Sequence, residues 1–322
     1  MKGKDLLSMA DLTPEDLERL IENARQMKLK KMVEQRPSTL RQAQGTAGSG
    51  HSLAGKTLAL IFEKPSLRTR VSFDIAMWQL GGHALYLSEA EVGLGKREPV
   101  ADAARVLSRY VDGIVARTFA HATVELLARY ASVPVINGLS DYEHPCQALA
   151  DLLTIHEKKG RIAGVSIAYI GDGNNVAASL ALGAALAGAH FTIASPRGYE
   201  LPPRVLEQVQ SLARQSGGQL RCLEDPSQAA RGADVLYTDV WVSMGQEAES
   251  SQRRTAFARY QVDARLISLA QPDVLLMHPL PAHYGEEVAP GVLDGPQSVV
   301  FDQAENRLHA QKAVLLELLG RP

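Results

Sequence analysis

The sequence predicts an α/β protein of two doubly wound domains, each with a mainly parallel sheet flanked by helices, joined by long helices. Three observations point there. Short apolar runs alternate with helical patterns over most of the chain, at 57–62, 84–87, 113–117, 133–136, 165–170, 190–194, 235–238, 274–277 and 299–301. These runs are continuous rather than alternating, as expected of strands covered on both faces. Nine strands are many for one sheet, and a long helical pattern at 144–159, closed by Gly160, divides them about evenly. A length of 322 residues also implies two domains, at roughly 100–200 residues each. The expected division is 1–160, completed by a terminal helix at 305–322, and 161–304. No internal repeat is visible.

At the amino end, Thr13 is a helix cap, Pro14 takes the first helical position and Glu15 and Asp16 follow in the first turn. Leu17, Leu20 and Ile21 mark the buried face. The small-residue stretch 43–50 reads as a surface loop without chemistry. Composition fits a globular protein, with 45% hydrophobic and 22% charged residues. A net charge of −2 excludes a field for nucleic acid or anionic lipid. Any anionic substrate therefore needs a local cluster of cations. Two cysteines, Cys146 and Cys222, make no disulfide framework and suit a reducing cytoplasm. The first twenty residues lack the apolar core of a signal peptide, and no run is long enough to span a membrane.

Most specific is the segment Ser66-Leu67-Arg68-Thr69-Arg70, which follows a strand and opens a helix. Ser66 caps that helix, whose free N–H groups and positive dipole end suit a phosphate. Ser66 and Thr69 add hydroxyls, and Arg68 and Arg70 add guanidinium charge. A capped helix with two surface arginines is the plain alternative. Cations in a first turn oppose the dipole, however, and that conflict is relieved by a bound anion. Arg117 ends the strand at 113–117, and ligands of open α/β sheets bind beyond strand carboxyl ends. Alone, it serves equally well as an ion-pair partner.

His144-Pro145-Cys146-Gln147 begins the long helix, with His144 and Gln147 three apart on one face. That pairs a carbonyl-polarising donor with an amide; a solvated helix start is the alternative. Cys146 points elsewhere and reads as a small buried side chain rather than a nucleophile. Gly171-Asp172-Gly173 lacks the third glycine of a dinucleotide fingerprint. It presents Asn174 and Asn175 at a helix start, where Asn174 reads as a cap and an asparagine can also hold a carboxylate. Asp239 ends another strand and suits a cationic amine; Ser243, Met244 and Gly245 follow as a mobile loop. His278-Pro279-Leu280-Pro281 fixes an extended turn that presents backbone carbonyls. Arg307 begins the last helix. Six of these segments follow strands, so their groups gather along sheet edges, and a cleft between domains is the usual ligand site.

Together these segments resemble the aspartate/ornithine carbamoyltransferase family over nearly the whole chain. Ser66–Arg70 is similar to its Ser-x-Arg-Thr-Arg motif, His144–Gln147 to its His-Pro-x-Gln motif, Asp239 with Ser243-Met244-Gly245 to the loop of its ornithine branch, and 301–307 to its closing motif. The resemblance implies transfer of the carbamoyl group of carbamoyl phosphate to the side-chain amine of L-ornithine, giving L-citrulline and phosphate in arginine metabolism. It implies that Ser66, Leu67, Arg68, Thr69 and Arg117 hold the phosphate, with backbone help from 67–69. His144 and Arg117 then polarise the carbamoyl oxygen. Gln147, the carbonyls of Pro279 and Leu280, and Arg307 hold the carbamoyl amide. Asn175, Asp239, Ser243 and Met244 hold ornithine. No cofactor or metal is implied. The family is built on trimers, so a homotrimer or an assembly of trimers is expected, with a loop at 93–98 and Lys96 reaching a neighbouring site.

Two departures stand out. Pro279 replaces the cysteine usual in the ornithine branch and follows the aspartate pattern. Gly93 replaces a usual polar side chain. Aspartate, putrescine or a modified ornithine are therefore the rival acceptors. From other classes, a nicotinamide oxidoreductase has only the partial Gly171-Asp172-Gly173 turn in its favour, and a non-catalytic binding protein only Pro279.

Overall fold

The computed structural model describes residues 1, 4–34, 52–243 and 245–320. The stretch 43–50 and Met244 lie outside the described residues. The chain divides into two compact units, one of residues 1–149 and 307–322, the other of 150–306.

The first unit holds a four-stranded parallel sheet in the order β2-β1-β3-β4, formed by β1 (Thr57–Phe62), β2 (His83–Ser88), β3 (Gly113–Arg117) and β4 (Val135–Leu139). Helices α1 (Pro14–Glu34), α2 (Leu67–Gln79), α3 (Glu89–Val92), α4 (Val100–Leu107) and α5 (His121–Tyr130) accompany it. β1 and β3 are buried nearly end to end, as their unbroken apolar runs require. Ala59, Ile61, Ile114 and Ala116 pack with Ala104, Val124 and Leu127 in one core. β4 starts two residues later than the apolar run suggests, because Pro134 lacks the N–H a ladder needs. Thr13 caps α1 by accepting from the Asp16 N–H at 3.1 Å.

α6 (Pro145–Lys159) contains the division between units. The second unit has a five-stranded parallel sheet, β7-β6-β5-β8-β9: β5 (Ser166–Ile170), β6 (His190–Ala194), β7 (Gln219–Leu223), β8 (Val235–Thr238) and β9 (Leu275–Met277). Helices α7 (Asn175–Leu186), α8 (Pro203–Ser216), α9 (Pro226–Ala230), α10 (Ser250–Phe257) and α11 (Ala264–Ile267) follow their strands. α7 is buried on nearly every side, which its Ala- and Leu-rich sequence permits.

Two expectations fail. The run at 299–301 is not a strand: Val300 opens α12 (Val300–Leu319), and only Ser298 bridges β9. An apolar triplet is too short to separate strand from helix start. In its place stands β7, whose polar, half-exposed edge sequence carries no continuous apolar run. Among the described residues no helix is long and apolar enough to cross a membrane.

In each sheet the strand order reverses once, between β1 and β3 in the first and between β5 and β8 in the second. Ligands of open α/β sheets bind at such switch points, beyond the strand carboxyl ends. Register aligns Phe62 with Arg117 and Ile170 with Thr238. Ser66 and Arg117 therefore leave neighbouring strands at one switch point, and Gly171 and Asp239 leave neighbouring strands at the other.

Candidate active site

In the first unit, Ser66 caps α2 and accepts from the Thr69 N–H at 3.3 Å. The first turn of α2 carries no acid. Thr69 is buried, and its hydroxyl accepts from Arg307 Nη2 at 2.8 Å. Arg307 Nη1 donates to Gln147 Oε1 and lies 3.2 Å from His144 Nε2. An arginine only donates, so Nε2 accepts and Nδ1 carries the ring hydrogen of His144. The last helix thus joins two motifs that are some eighty residues apart in sequence.

Arg117 is buried, and its Nε has no hydrogen-bond partner among the described residues. Burial first, then the charges of Arg307 and Arg68, push its guanidinium down to about 9. Burial, with Arg307, Arg117 and Arg68 beside it, holds His144 well below the ordinary imidazole value. His144 is therefore a neutral imidazole among three guanidinium groups at neutral pH. Such a concentration of cations, two of them buried, is the charge complement of a phosphate.

Arg70 does not join this group: it is exposed and stacks over Tyr86 at 4.0 Å. Leu67 is exposed on α2. Cys146 is buried, its thiol pushed up to about 12, so it is no nucleophile. Lys96 sits on an exposed loop and pairs with Glu89 at 2.7 Å.

The second unit gathers opposite charge. Asp239 follows β8 and is buried, and burial raises its carboxyl above the ordinary range. It accepts from Val240 N and from Asn174 Nδ2, both at 2.8 Å. Asn174 also caps α7, accepting from Val176 and Ala177 at 3.0 Å. It thereby joins the β5 turn to the end of β8, while Asn175 stands one residue further, at the start of α7. Sequence reasoning saw the cap but not the bond to Asp239. The turn before it needs glycine, since a Cβ at Gly173 would meet the Glu200 backbone carbon at 2.3 Å. That space is filled by protein, which removes the oxidoreductase's only support.

Asp172 and Arg253 form a buried pair at 2.7 Å, and Arg253 also donates to the Trp241 carbonyl. Burial raises Asp172 even so. Sequence reasoning missed this tie, because nothing local marks two residues 81 apart. Ser243 lies in the loop before α10, its N–H donating to Gln246 Oε1 at 3.1 Å. Pro279 and Leu280 follow β9, but the turn is not fully extended: Leu280 has φ +55°. His278 Nδ1 accepts from the Leu280 N–H at 2.9 Å, which draws that residue out of its preferred region. Among the described residues no backbone N–H donates to either carbonyl. A cavity of about 130 Å³ involving His190 and Gln219 lies at the opposite, amino-terminal edge of this sheet. None of the expected residues lines it.

Residues 4–157 match the family described as the aspartate/ornithine carbamoyltransferase carbamoyl-P binding domain, and residues 163–318 match its Asp/Orn binding domain. The chain belongs to the aspartate/ornithine carbamoyltransferase family. Within this carbamoyltransferase family, it is 54% identical over 321 residues to an ornithine carbamoyltransferase of Thermococcus kodakarensis, covering 99% of this chain and 98% of that one. It is 53% identical to a Pyrococcus furiosus relative described as an anabolic ornithine carbamoyltransferase, covering 99% and 98%. A solved ornithine carbamoyltransferase of Pyrococcus furiosus superposes with a TM-score of 0.92, covering 99% and 97%. One from Thermus thermophilus, 47% identical, gives 0.85 over 98% of each.

Proposed function

We propose that this carbamoyltransferase moves the carbamoyl group of carbamoyl phosphate to the side-chain amine of L-ornithine, giving L-citrulline and phosphate. The observation that carries the reading is the set of buried Arg117 and Arg307 and half-buried Arg68 around a neutral His144. Ser66, Arg68, Thr69, Arg117 and the N–H groups of 67–69 hold the phosphate. His144 Nδ1–H and Arg117 draw charge onto the carbamoyl oxygen. Gln147, Arg307 and the carbonyls of Pro279 and Leu280 hold the carbamoyl amide. Asp239, Asn175, Ser243 and Met244 hold the amino acid.

The acceptor ammonium, with a pKa of about 10, first loses a proton to solvent. Its neutral nitrogen attacks the carbamoyl carbon, forming a C–N bond and an oxyanion. That oxyanion collapses, the C–O bond to phosphate breaks, and the departing phosphate takes the second amine proton. The chain contributes orientation and electrostatic stabilisation of the oxyanion. Asp172 and Asp239 favour a cationic acceptor over aspartate, whose second carboxylate needs a cation. Arg253, already engaged by Asp172 and Glu249, does not supply one.

Likeness to a relative described as anabolic supports the biosynthetic direction, and two cysteines without a disulfide framework support a reducing cytoplasm. A homotrimer, or an assembly of trimers, is supported by the exposed apolar row Leu67, Val71, Ile75 and Trp78 along α2, which a monomer leaves wet. Assays with carbamoyl phosphate and ornithine, aspartate or putrescine test the reading. Citrulline as the main product is expected; turnover of another amine without citrulline contradicts it. Light scattering at assay concentration tests the assembly, with a monomeric mass as the contrary result.

A further inference from the structure

Beyond β9, four protein groups form one hydrogen-bonded chain. His278 Nδ1 accepts from the Leu280 N–H at 2.9 Å, and His278 Nε2 lies 3.2 Å from Glu287 Oε1. The same Glu287 oxygen accepts from the His283 N–H at 2.6 Å. His278 and Glu287 are both fully buried. A backbone N–H only donates, so His278 Nδ1 bears no hydrogen and Nε2–H donates to Glu287. The chain therefore ties both ends of the turn 278–283 to one carboxylate.

That tie acts on a strained residue. Leu280 lies at φ +55°, a region a leucine adopts only under constraint. Among the described residues no backbone N–H donates to the carbonyls of Pro279 and Leu280. Stability alone gives no reason for a carboxylate here, since Glu287 Oε2 is buried without a partner among the described residues. A half-satisfied buried carboxylate disfavours folding. Strain and an unpartnered buried oxygen together mark a turn held for use rather than for stability.

We propose that Glu287, acting through His278, is a positioning residue that sets the Pro279 and Leu280 carbonyls to receive the carbamoyl amide. This rests on the carbamoyl-transfer reading above. The carboxylate fixes the imidazole tautomer, the tautomer leaves Nδ1 as acceptor, and that acceptor holds the Leu280 N–H.

The test compares the full-length wild type with Glu287→Leu and Glu287→Gln. Misplacing the carbonyls in Glu287→Leu lowers kcat by about 100-fold. The inhibition constant of inorganic phosphate, which needs only the arginine group, stays unchanged. Glu287→Gln keeps an accepting oxygen and recovers to within about fivefold of wild type. Equal loss in phosphate binding and in turnover indicates general damage and overturns the proposal. A wild type that makes no carbamoylated product overturns the carbamoyl-transfer reading and this proposal with it. A working wild type beside a Glu287→Leu variant of equal kcat overturns the positioning alone. Should Glu287→Leu fail to fold, nitrogen-15 NMR of the wild type decides: His278 protonated at Nε2 and bare at Nδ1 is expected, and the reverse tautomer contradicts it.

Discussion

The two units present their candidate groups in the same topological place but with opposite charge. Beyond the β1–β3 switch point stands Arg117, and with Arg68 and Arg307 beside it His144; burial and the neighbouring guanidinium charges lower the pKa values of Arg117 and His144. Beyond the β5–β8 switch point stand Asp172 and Asp239, whose pKa values burial raises. Buried Arg117 carries a charge that burial disfavours, as does Asp239 when ionised, and each is relieved by a ligand of the other sign. The contrast teaches that one fold plan specifies where a ligand sits, and the side chains at strand ends specify its charge. An anionic donor fits the first unit and a cationic acceptor the second.

The sharpest way to break the contrast is Arg117→Met. Losing one buried donor to the developing oxyanion lowers kcat about 100- to 1000-fold. The same change removes an uncompensated buried charge, so the unliganded protein gains about 1 kcal/mol by calorimetry. A variant that loses both activity and stability would place Arg117 among structural ion-pair residues instead.

Asp239→Asn attacks the other unit. It removes the charge offered to a cationic acceptor, a contact worth about 1.5–3 kcal/mol, so KM for ornithine rises about 10- to 100-fold. KM for carbamoyl phosphate remains as in the wild type. Equal changes in both constants would erase the division of labour between the units.

The smallest effect is on stability against pH. The folded pKa of His144 is lowered from 6.5. Between the folded and unfolded values the unfolded chain binds a proton that the folded chain refuses. Stability is therefore full above the unfolded value and falls as pH drops below it, with a slope of at most about 1.4 kcal/mol per pH unit. Thermal melts across this range should flatten in His144→Asn; an unchanged slope would assign the dependence to other groups.

Much of this was legible in the chain itself. Continuous apolar runs located eight strands, and capped helix starts located Ser66 and Asn174. Arg68, Thr69, His144, Gln147 and Arg307 were marked by motifs and Arg117 by its place at a strand end, and the structure brings them together in the first unit. What stayed hidden depends on distant partners. β7 is an edge strand whose pairing with β6 makes it a strand, not its own composition. Arg253 with Asp172, and Glu287 with His278, are pairs whose members carry no local signal of each other. Leu280 defied the extended preference of a residue before proline because a side chain holds its N–H.

The most direct measurement is calorimetric titration of the unliganded protein and of Arg117→Met with inorganic phosphate. Wild type should bind, and phosphate at 100 times its dissociation constant should stabilise it by about 2.7 kcal/mol in a melt. Arg117→Met should show neither binding nor stabilisation. Phosphate that leaves the wild type unaffected, or binds both proteins alike, would contradict the anion-seeking character assigned to the first unit.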